Sequence, residues 1–112
     1  MTPADLLSIA RRCYEAYVTG DRKVLDDTLS DDLRFRSPAD PGIDRATYFE
    51  RCWPNNENIA GFEFKRMEQI GDEVLVTYEA ERNDGTRFRN TEVLGFEGDK
   101  LRSIEVYFGW DV

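Results

Sequence analysis

The sequence predicts an α+β fold in which helices precede a curved antiparallel sheet. Apolar residues recur at helical spacing in the first half of the 112-residue chain and alternate with polar residues in the second half. Gly-Asp and Asp-Gly pairs separate the alternating runs, as in tight hairpins. Because helical and strand patterns are not interleaved, an alternating parallel fold is disfavoured. We expect residues 1–112 to form a single domain.

Three helices are predicted. The first starts at Thr2–Asp5, where a capping hydroxyl, a proline and an acid follow one another, and it ends at Gly20. Asp21 is expected to cap a short second helix, which Ser30–Asp32 closes. Asp44 is expected to cap the third helix. The inner side of that helix carries Phe49, Cys52 and Trp53.

Five strands are predicted, one leading strand and a meander of four. Leu33–Ser37 alternates apolar and polar residues and is the leading strand. Residues 38–42 are rich in proline and glycine, which predicts a loop. The meander strands cover residues 62–70, 74–81, 87–96 and 101–110.

The third meander strand carries an acid on an apolar face. Phe88, Asn90, Glu92, Leu94 and Phe96 lie on one face, since side chains alternate along a strand. A buried acid is costly unless it is paired or protonated, so Glu92 predicts a small-molecule pocket within the core, mostly apolar with a few polar groups.

The last strand requires a β-bulge. A regular hairpin would place Glu92 opposite Glu105, and like charges in that position repel. A bulge near Arg102–Ser103 avoids this and bends the sheet. It pairs Val106 with Glu92, and Phe108 with Asn90.

Composition narrows the classes of partner. The chain has 15 basic and 23 acidic residues, a net charge of −8, which disfavours nucleic acid and anionic membranes. It has no run of about 18 apolar residues and no signal-peptide pattern, so a cytoplasmic location is expected. Histidine is absent, and Cys13 and Cys52 are expected to be reduced, buried thiols, although a disulfide between them stays open. No metal and no cofactor are expected.

Three segments carry a resemblance to a known family: Tyr14–Asp21 (YEAYVTGD), Leu29–Pro38 (LSDDLRFRSP) and Phe88–Trp110. Together they resemble the nuclear transport factor 2-like (NTF2-like) superfamily, in its SnoaL-like branch. The resemblance implies a cone-shaped curved sheet that wraps around three helices and a central pocket, the cystatin-like architecture. It also implies a homodimer through the outer sheet face. The superfamily contains ketosteroid isomerases, polyketide cyclases and members without catalysis, so the fold alone does not define an activity.

Comparison with ketosteroid isomerase matches one of three positions. The position of that enzyme's general base is Ser37 here, and the position of its oxyanion-binding tyrosine is Cys13, with Tyr14 and Tyr17 nearby. Its neutral acid, which is the worked example of a carboxyl group kept protonated by an apolar site, aligns with Glu92. The resemblance therefore argues against steroid-type isomerisation.

Glu92 is the candidate catalytic residue. The alternative is a structural acid paired with Arg87, Arg89 or a helix hydroxyl. We expect the arginines on the outer sheet face, in ladders with glutamates. The candidate substrate-binding residues, each of which could instead be plain core, are Asn90, Tyr17, Trp53, Phe35, Val106 and Phe108.

Two functions are open. One is an enzyme that acts on a small hydrophobic molecule by cofactor-free acid–base chemistry, with Glu92 as the acid or base. The other is a non-catalytic ligand-binding or structural dimerisation module, which the serine at the usual base position favours.

Overall fold

The computed structural model of the protein describes residues 5–112. Within them the chain forms three α-helices, a short 3-10 helix and one six-stranded sheet, so the predicted α+β class is confirmed. The helices are α1 (Leu6–Thr19), α2 (Arg22–Thr28) and α3 (Arg45–Arg51), and the 3-10 helix is Trp53–Asn58. The strands are β1 (Leu29–Ser37), β2 (Asp40–Ile43), β3 (Ile59–Ile70), β4 (Glu73–Arg82), β5 (Arg87–Glu97) and β6 (Lys100–Asp111).

The helix boundaries follow from their capping residues. Asp5 caps α1, since its carboxylate accepts the N–H of Ser8 at 3.2 Å, whereas the predicted cap Thr2 lies outside the described residues. Gly20 ends α1 with a φ of 73°, as predicted. Asp21 precedes α2, but within the described chain its side chain makes no capping hydrogen bond. Asp44 caps α3 as expected, accepting the N–H of Thr47 at 2.9 Å.

The sheet is open, with the order β2-β1-β6-β5-β4-β3. Four of its pairings are antiparallel, and β1 with β6 is parallel, so the prediction of a purely antiparallel sheet was wrong at this one pairing. The last strand of the meander, β6, lies beside the leading strand β1, and the two run in the same direction. Local alternation in the sequence carries no information on such a long-range pairing.

Two local predictions were also wrong. Ser30–Asp32 does not close α2 as a loop but lies within β1, which begins at Leu29 because that side chain is buried and pairs with Leu101 of β6. The predicted loop at residues 38–42 contains the start of β2, where Ser37 pairs with Asp40. Pro41 is tolerated there because β2 is an edge strand.

The predicted β-bulge in β6 is confirmed. Gly95 pairs with Ser103 and Phe96 with Leu101, so Arg102 is the extra residue of the bulge. The resulting register is the predicted one, with Val106 opposite Glu92 and Phe108 opposite Asn90.

A second bulge near the end of β6 depends on Gly109. Asn90 pairs with Phe108 but Phe88 pairs with Asp111, and a Cβ at Gly109 would overlap the carbonyl oxygen of Arg89. We therefore expect Gly109→Ala to lower the free energy of unfolding by about 1–3 kcal/mol, because the backbone at Gly109 or Arg89 must move to relieve the overlap. Urea unfolding measures this.

Gly61→Ala is the matched control. A Cβ at Gly61 has no neighbour within 4 Å among the described residues, so this change should be neutral or stabilise the protein by about 0.4–1 kcal/mol. Equal effects of the two substitutions would show that the second bulge does not require a glycine.

The inner face of the sheet packs against the helices and forms the core. Alternate residues of β4, which are fully or nearly fully buried, face α1 across this core. The buried β4 residues on this inner face are Val74, Val76, Tyr78 and Ala80. In the described part of the chain, no helix has the length and apolar character needed to cross a membrane.

Candidate functional site

A cavity of about 290 Å³ lies between the inner sheet face and the helices. Its wall is mostly apolar and aromatic, with a few carboxyl, amide, hydroxyl and thiol groups. Among the described residues, none of those lining it is lysine or arginine, and the chain has no histidine. We call this space the central cavity.

Glu92 is a polar group of the central cavity that two tyrosine hydroxyl groups hold in place. It lies on the inner face of β5, half-buried, with its carboxyl group on the cavity wall. The hydroxyl of Tyr14 from α1 donates to Oε1 at 3.0 Å, and that of Tyr78 from β4 donates to Oε2 at 2.6 Å. Burial raises the pKa of Glu92, and the hydrogen bonds from Tyr78 and Tyr14 oppose that rise only in part.

Asn90 extends this hydrogen-bond chain. Its Oδ1 accepts the backbone N–H of Gly109 at 3.3 Å, which fixes the orientation of the amide. Its Nδ2 then donates to the hydroxyl oxygen of Tyr78 at 3.5 Å, a long contact. The donors run from Asn90 through Tyr78 to Glu92, so the chain is arranged to support negative charge on the carboxyl group.

Removing either tyrosine hydroxyl should raise the pKa of Glu92 further, because each one stabilises the carboxylate. We expect Tyr78→Phe to have the larger effect, since its hydrogen bond is shorter than that of Tyr14. Carboxyl ¹³C NMR of the two variants measures it. Tyr107→Phe is the control, as that hydroxyl contacts Glu105 on the outer face. An unchanged or lowered pKa in Tyr78→Phe would contradict the described geometry.

A second polar group of the cavity is Asp40. Its Oδ2 accepts the hydroxyl of Ser37 at 3.1 Å, and its Oδ1 lies 2.9 Å from Nη2 of Arg51. Ser37, the residue at the isomerase base position, therefore contacts a carboxylate that also lines the cavity. Asp40 forms an ion pair with an arginine, whereas the donors that Glu92 has among the described residues are uncharged.

Two more tyrosines and both thiols also line the cavity. The hydroxyl groups of Tyr17 and Tyr48 are hydrogen-bonded to each other. Cys13 and Cys52 are free, and burial raises the pKa of Cys13 to about 12 and that of Cys52 to about 11. Both therefore stay protonated and unreactive near neutral pH. Within residues 5–112, no cluster of three or more acidic or thiol side chains could hold a metal ion.

The structure places five of the six predicted substrate-binding residues on the cavity wall. Phe108 lies at its edge, with 58% of its surface exposed. Trp53 is not among the lining residues, because α3 ends at Arg51 and the 3-10 helix carries the indole behind Tyr17, with ring centres 5.0 Å apart. The five on the wall are Asn90, Tyr17, Phe35, Val106 and Phe108.

The arginines of β5 do not pair with Glu92. Arg87 and Arg89 both contact Glu79 across the outer face, with Arg87 Nη2 3.1 Å from Oε1 and Arg89 Nε 3.1 Å from Oε2. The hydrogen bond from Arg89 lowers the pKa of Glu79. This is the expected ladder of outer-face charges. Of the three partners that the sequence offered for Glu92, the structure shows the helix hydroxyl, which belongs to Tyr14.

Sequence reasoning missed the roles of Tyr78, Tyr48 and Asp40. Tyr78 could have been found, since the Asn83–Gly85 turn pairs it with Asn90 and so sets it diagonally beside Glu92. Asp40 had no comparable signal, because it lies in a Pro- and Gly-rich segment that gives no register.

Comparison with known proteins fixes the family. The profile of the SnoaL-like domain matches residues 10–104, so the chain belongs to the SnoaL-like family, which confirms the resemblance. Among curated proteins, none has a sequence that matches the chain significantly.

Several solved structures share the fold. An NTF2-like protein of unknown function from Cytophaga hutchinsonii has a TM-score of 0.73 at 18% identity, with 96% of this chain and 93% of that one covered. A proposed ketosteroid isomerase from Kribbella flavida has a TM-score of 0.76 at 16% identity, with 93% and 77% covered. A proposed polyketide cyclase from Sinorhizobium meliloti has a TM-score of 0.73 at 15% identity, with 89% and 94% covered. At these identities the similarity establishes the fold alone.

Proposed function

We propose that the protein binds a small, mostly apolar organic molecule in the central cavity and that Glu92 exchanges a proton with it. The observation that carries the proposal is one carboxyl group, oriented by Tyr14 and Tyr78, on the wall of an otherwise apolar cavity. Pockets of this kind, apolar with few convergent polar groups, are typical of small-molecule sites, which span about 300–1,000 Å³. The central cavity, at about 290 Å³, is at the lower end of this range, so we expect a ligand smaller than most drugs.

Glu92 retains the capacity to act on a ligand. A carboxylate can accept about four hydrogen bonds, and Tyr14 and Tyr78 supply one each. Because burial raises its pKa, the carboxylate is a stronger base than an exposed glutamate. Asp40, paired with Arg51, is better suited to orient a ligand than to accept its proton.

Binding is tested with neutral apolar probes such as 2-phenylethanol and naphthalene. We expect shifts in the amide NMR signals of cavity residues, for example Val106 and Phe35, and none on the outer face. The absence of binding by these probes and by charged probes of the same size, each near its solubility limit, would overturn the proposal.

Proton transfer is tested with 5-nitrobenzisoxazole, a planar apolar compound that opens when a base removes its C3 proton. The carboxylate takes that proton, the ring N–O bond breaks, and a cyanophenolate leaves. We expect turnover that rises with pH as Glu92 ionises and falls about 100-fold or more in Glu92→Gln. Glu68→Gln, at an exposed position on β3, should retain the rate.

Non-catalytic binding is the second candidate. It is favoured by Ser37, whose hydroxyl is bonded to Asp40 and which supplies no base at the position where the isomerase has one. Ligand binding with equal proton transfer in the native protein and in Glu92→Gln would select this candidate.

A homodimer through the outer sheet face is part of the proposal. Tyr107 and Trp110 on β6 are 54% and 63% exposed there, and Arg89 stacks on Trp110 at 5.3 Å. Large exposed aromatic groups of this kind mark interaction surfaces. Sedimentation velocity should give a dimer that Trp110→Ser weakens, and a monomer at micromolar concentration would contradict the dimer.

A further inference from the structure

The charges around the central cavity do not balance. Two carboxyl groups, Asp40 and Glu92, line it, and Arg51 neutralises Asp40. Glu92 has only uncharged partners among the described residues: the hydroxyl groups of Tyr14 and Tyr78. When Glu92 is ionised, the described site holds one negative charge without a counter-ion. Such a charge is costly away from water.

The hydrogen-bond chain favours that ionised form. Gly109 fixes the amide of Asn90, which donates to Tyr78, which in turn donates to Glu92. Every donor in this chain points towards the carboxyl group. A ligand that only accepts hydrogen bonds would need Glu92 to be protonated, whereas a cationic donor can bind the ionised carboxylate directly.

The remaining wall also suits a cation. Eight aromatic rings line the cavity, and the negative faces of such rings attract cations. They are Tyr14, Tyr17, Phe35, Tyr48, Phe62, Tyr78, Phe88 and Phe108. Two cations near the cavity have other partners, since Arg51 lies against Asp40 and Arg82 stacks on the ring of Phe88 at 4.3 Å.

We propose that the ligand of the central cavity is an organic ammonium ion: an apolar amine whose charged nitrogen contacts Glu92 and whose body lies against the aromatic wall. This inference rests on the proposed function and specifies its ligand class. Anionic ligands are repelled by the ionised Glu92, and neutral ligands of the same shape bind more weakly.

Binding also couples to pH. Glu92 must be ionised in the complex, so affinity for the amine should fall as the pH drops through the raised pKa of Glu92. The tyrosine and cysteine side chains around it do not compete in this range, because burial raises the pKa of Tyr14, Tyr78, Tyr17, Tyr48, Cys13 and Cys52. Asp40 is the other acid of the cavity, and it lies against Arg51.

Three probes of one shape test the inference: 2-phenylethylamine, 2-phenylethanol and phenylacetate. Calorimetric or NMR titration should give the amine about tenfold or more tighter binding than the alcohol, the usual advantage of a charged hydrogen bond. Phenylacetate should bind weakest. Glu92→Gln should abolish the preference for the amine while the alcohol still binds, and Glu68→Gln should preserve it.

The outcomes separate the two proposals. If the alcohol binds as tightly as the amine, or if Glu92→Gln keeps the preference, the cavity is a small-molecule site but the ammonium inference is wrong. If none of the three probes binds, the inference and the proposed function both fall. Titration in two buffers of different ionisation enthalpy adds a check, because amine binding near the pKa of Glu92 should release protons.

Discussion

Replacing Leu94 with alanine is expected to lower the free energy of unfolding by about 2–5 kcal/mol. Leu94 is only 2% exposed and lines the central cavity two residues after Glu92, on the same face of β5. It is paired with Val74 on one side and Ile104 on the other. The sheet holds these neighbours in place, so they cannot collapse into the space that the side chain leaves. The substitution should also enlarge the cavity beside Glu92.

Val93→Ala provides the comparison. Val93 is the next residue along β5 and is half-buried, with its side chain on the opposite face of the sheet from Leu94. Its truncation should cost about 1 kcal/mol or less. Urea unfolding of both variants gives the two values. Similar losses would show that the inner and outer faces of β5 are not packed as described.

Glu92→Gln is expected to become more stable relative to the native protein as the pH rises. Burial raises the pKa of Glu92 in the folded state above its ordinary value of 4.5. Below about pH 4.5 the group is protonated in both states and contributes no penalty. As the pH rises towards the folded pKa, the unfolded chain ionises first, so unfolding becomes easier. Above the folded pKa the penalty is constant, at about 1.4 kcal/mol for each pH unit between the two pKa values.

Glutamine has nearly the same shape and no charge, so the variant lacks this pH-dependent penalty. Unfolding of both proteins between about pH 4 and 8 isolates it, since the other titrating groups are shared. Glu68→Gln, at its exposed site, should differ from the native protein by an amount that does not change with pH. A Glu92→Gln difference that is equally flat would mean that Glu92 is not desolvated.

The alternation of side chains in the sequence was enough to predict the position of Glu92. Phe88, Leu94 and Phe96 define an apolar face, and Asn90 and Glu92 interrupt it. The conflict between Glu92 and Glu105 was enough to predict the bulge at Arg102, because a strand register is a discrete choice. These features depend on neighbours close in sequence or joined by a short hairpin.

Other features depend on distant parts of the chain and could not be predicted. The parallel pairing of β1 with β6 joins residues about seventy positions apart. Asp40 reaches the cavity only because β2 folds back on β1. Trp53 was placed on the wall by continuing α3, but the helix ends at Arg51 and a 3-10 helix redirects the indole. In each case tertiary packing selects between conformations that the local sequence allows.

The roles of Tyr14 and Tyr78 could be predicted in part. Each is recognisable as an inner-face aromatic residue, Tyr14 on a helix and Tyr78 on a strand. That both hydroxyl groups donate to one carboxyl group follows from how α1 packs against the sheet. This packing makes Glu92 both hydrogen-bonded and desolvated, the combination that a site for proton exchange needs.

The most direct test is the pKa of Glu92 itself. Carboxyl ¹³C NMR of the protein with labelled glutamate measures it, with Glu92→Gln identifying the signal. We predict a pKa clearly above the ordinary 4.5, and a further rise in Tyr78→Phe. A pKa at or below 4.5 would mean that hydrogen bonds, water or a cation outweigh the burial of the group, and it would contradict Glu92 as the desolvated acid of a ligand site.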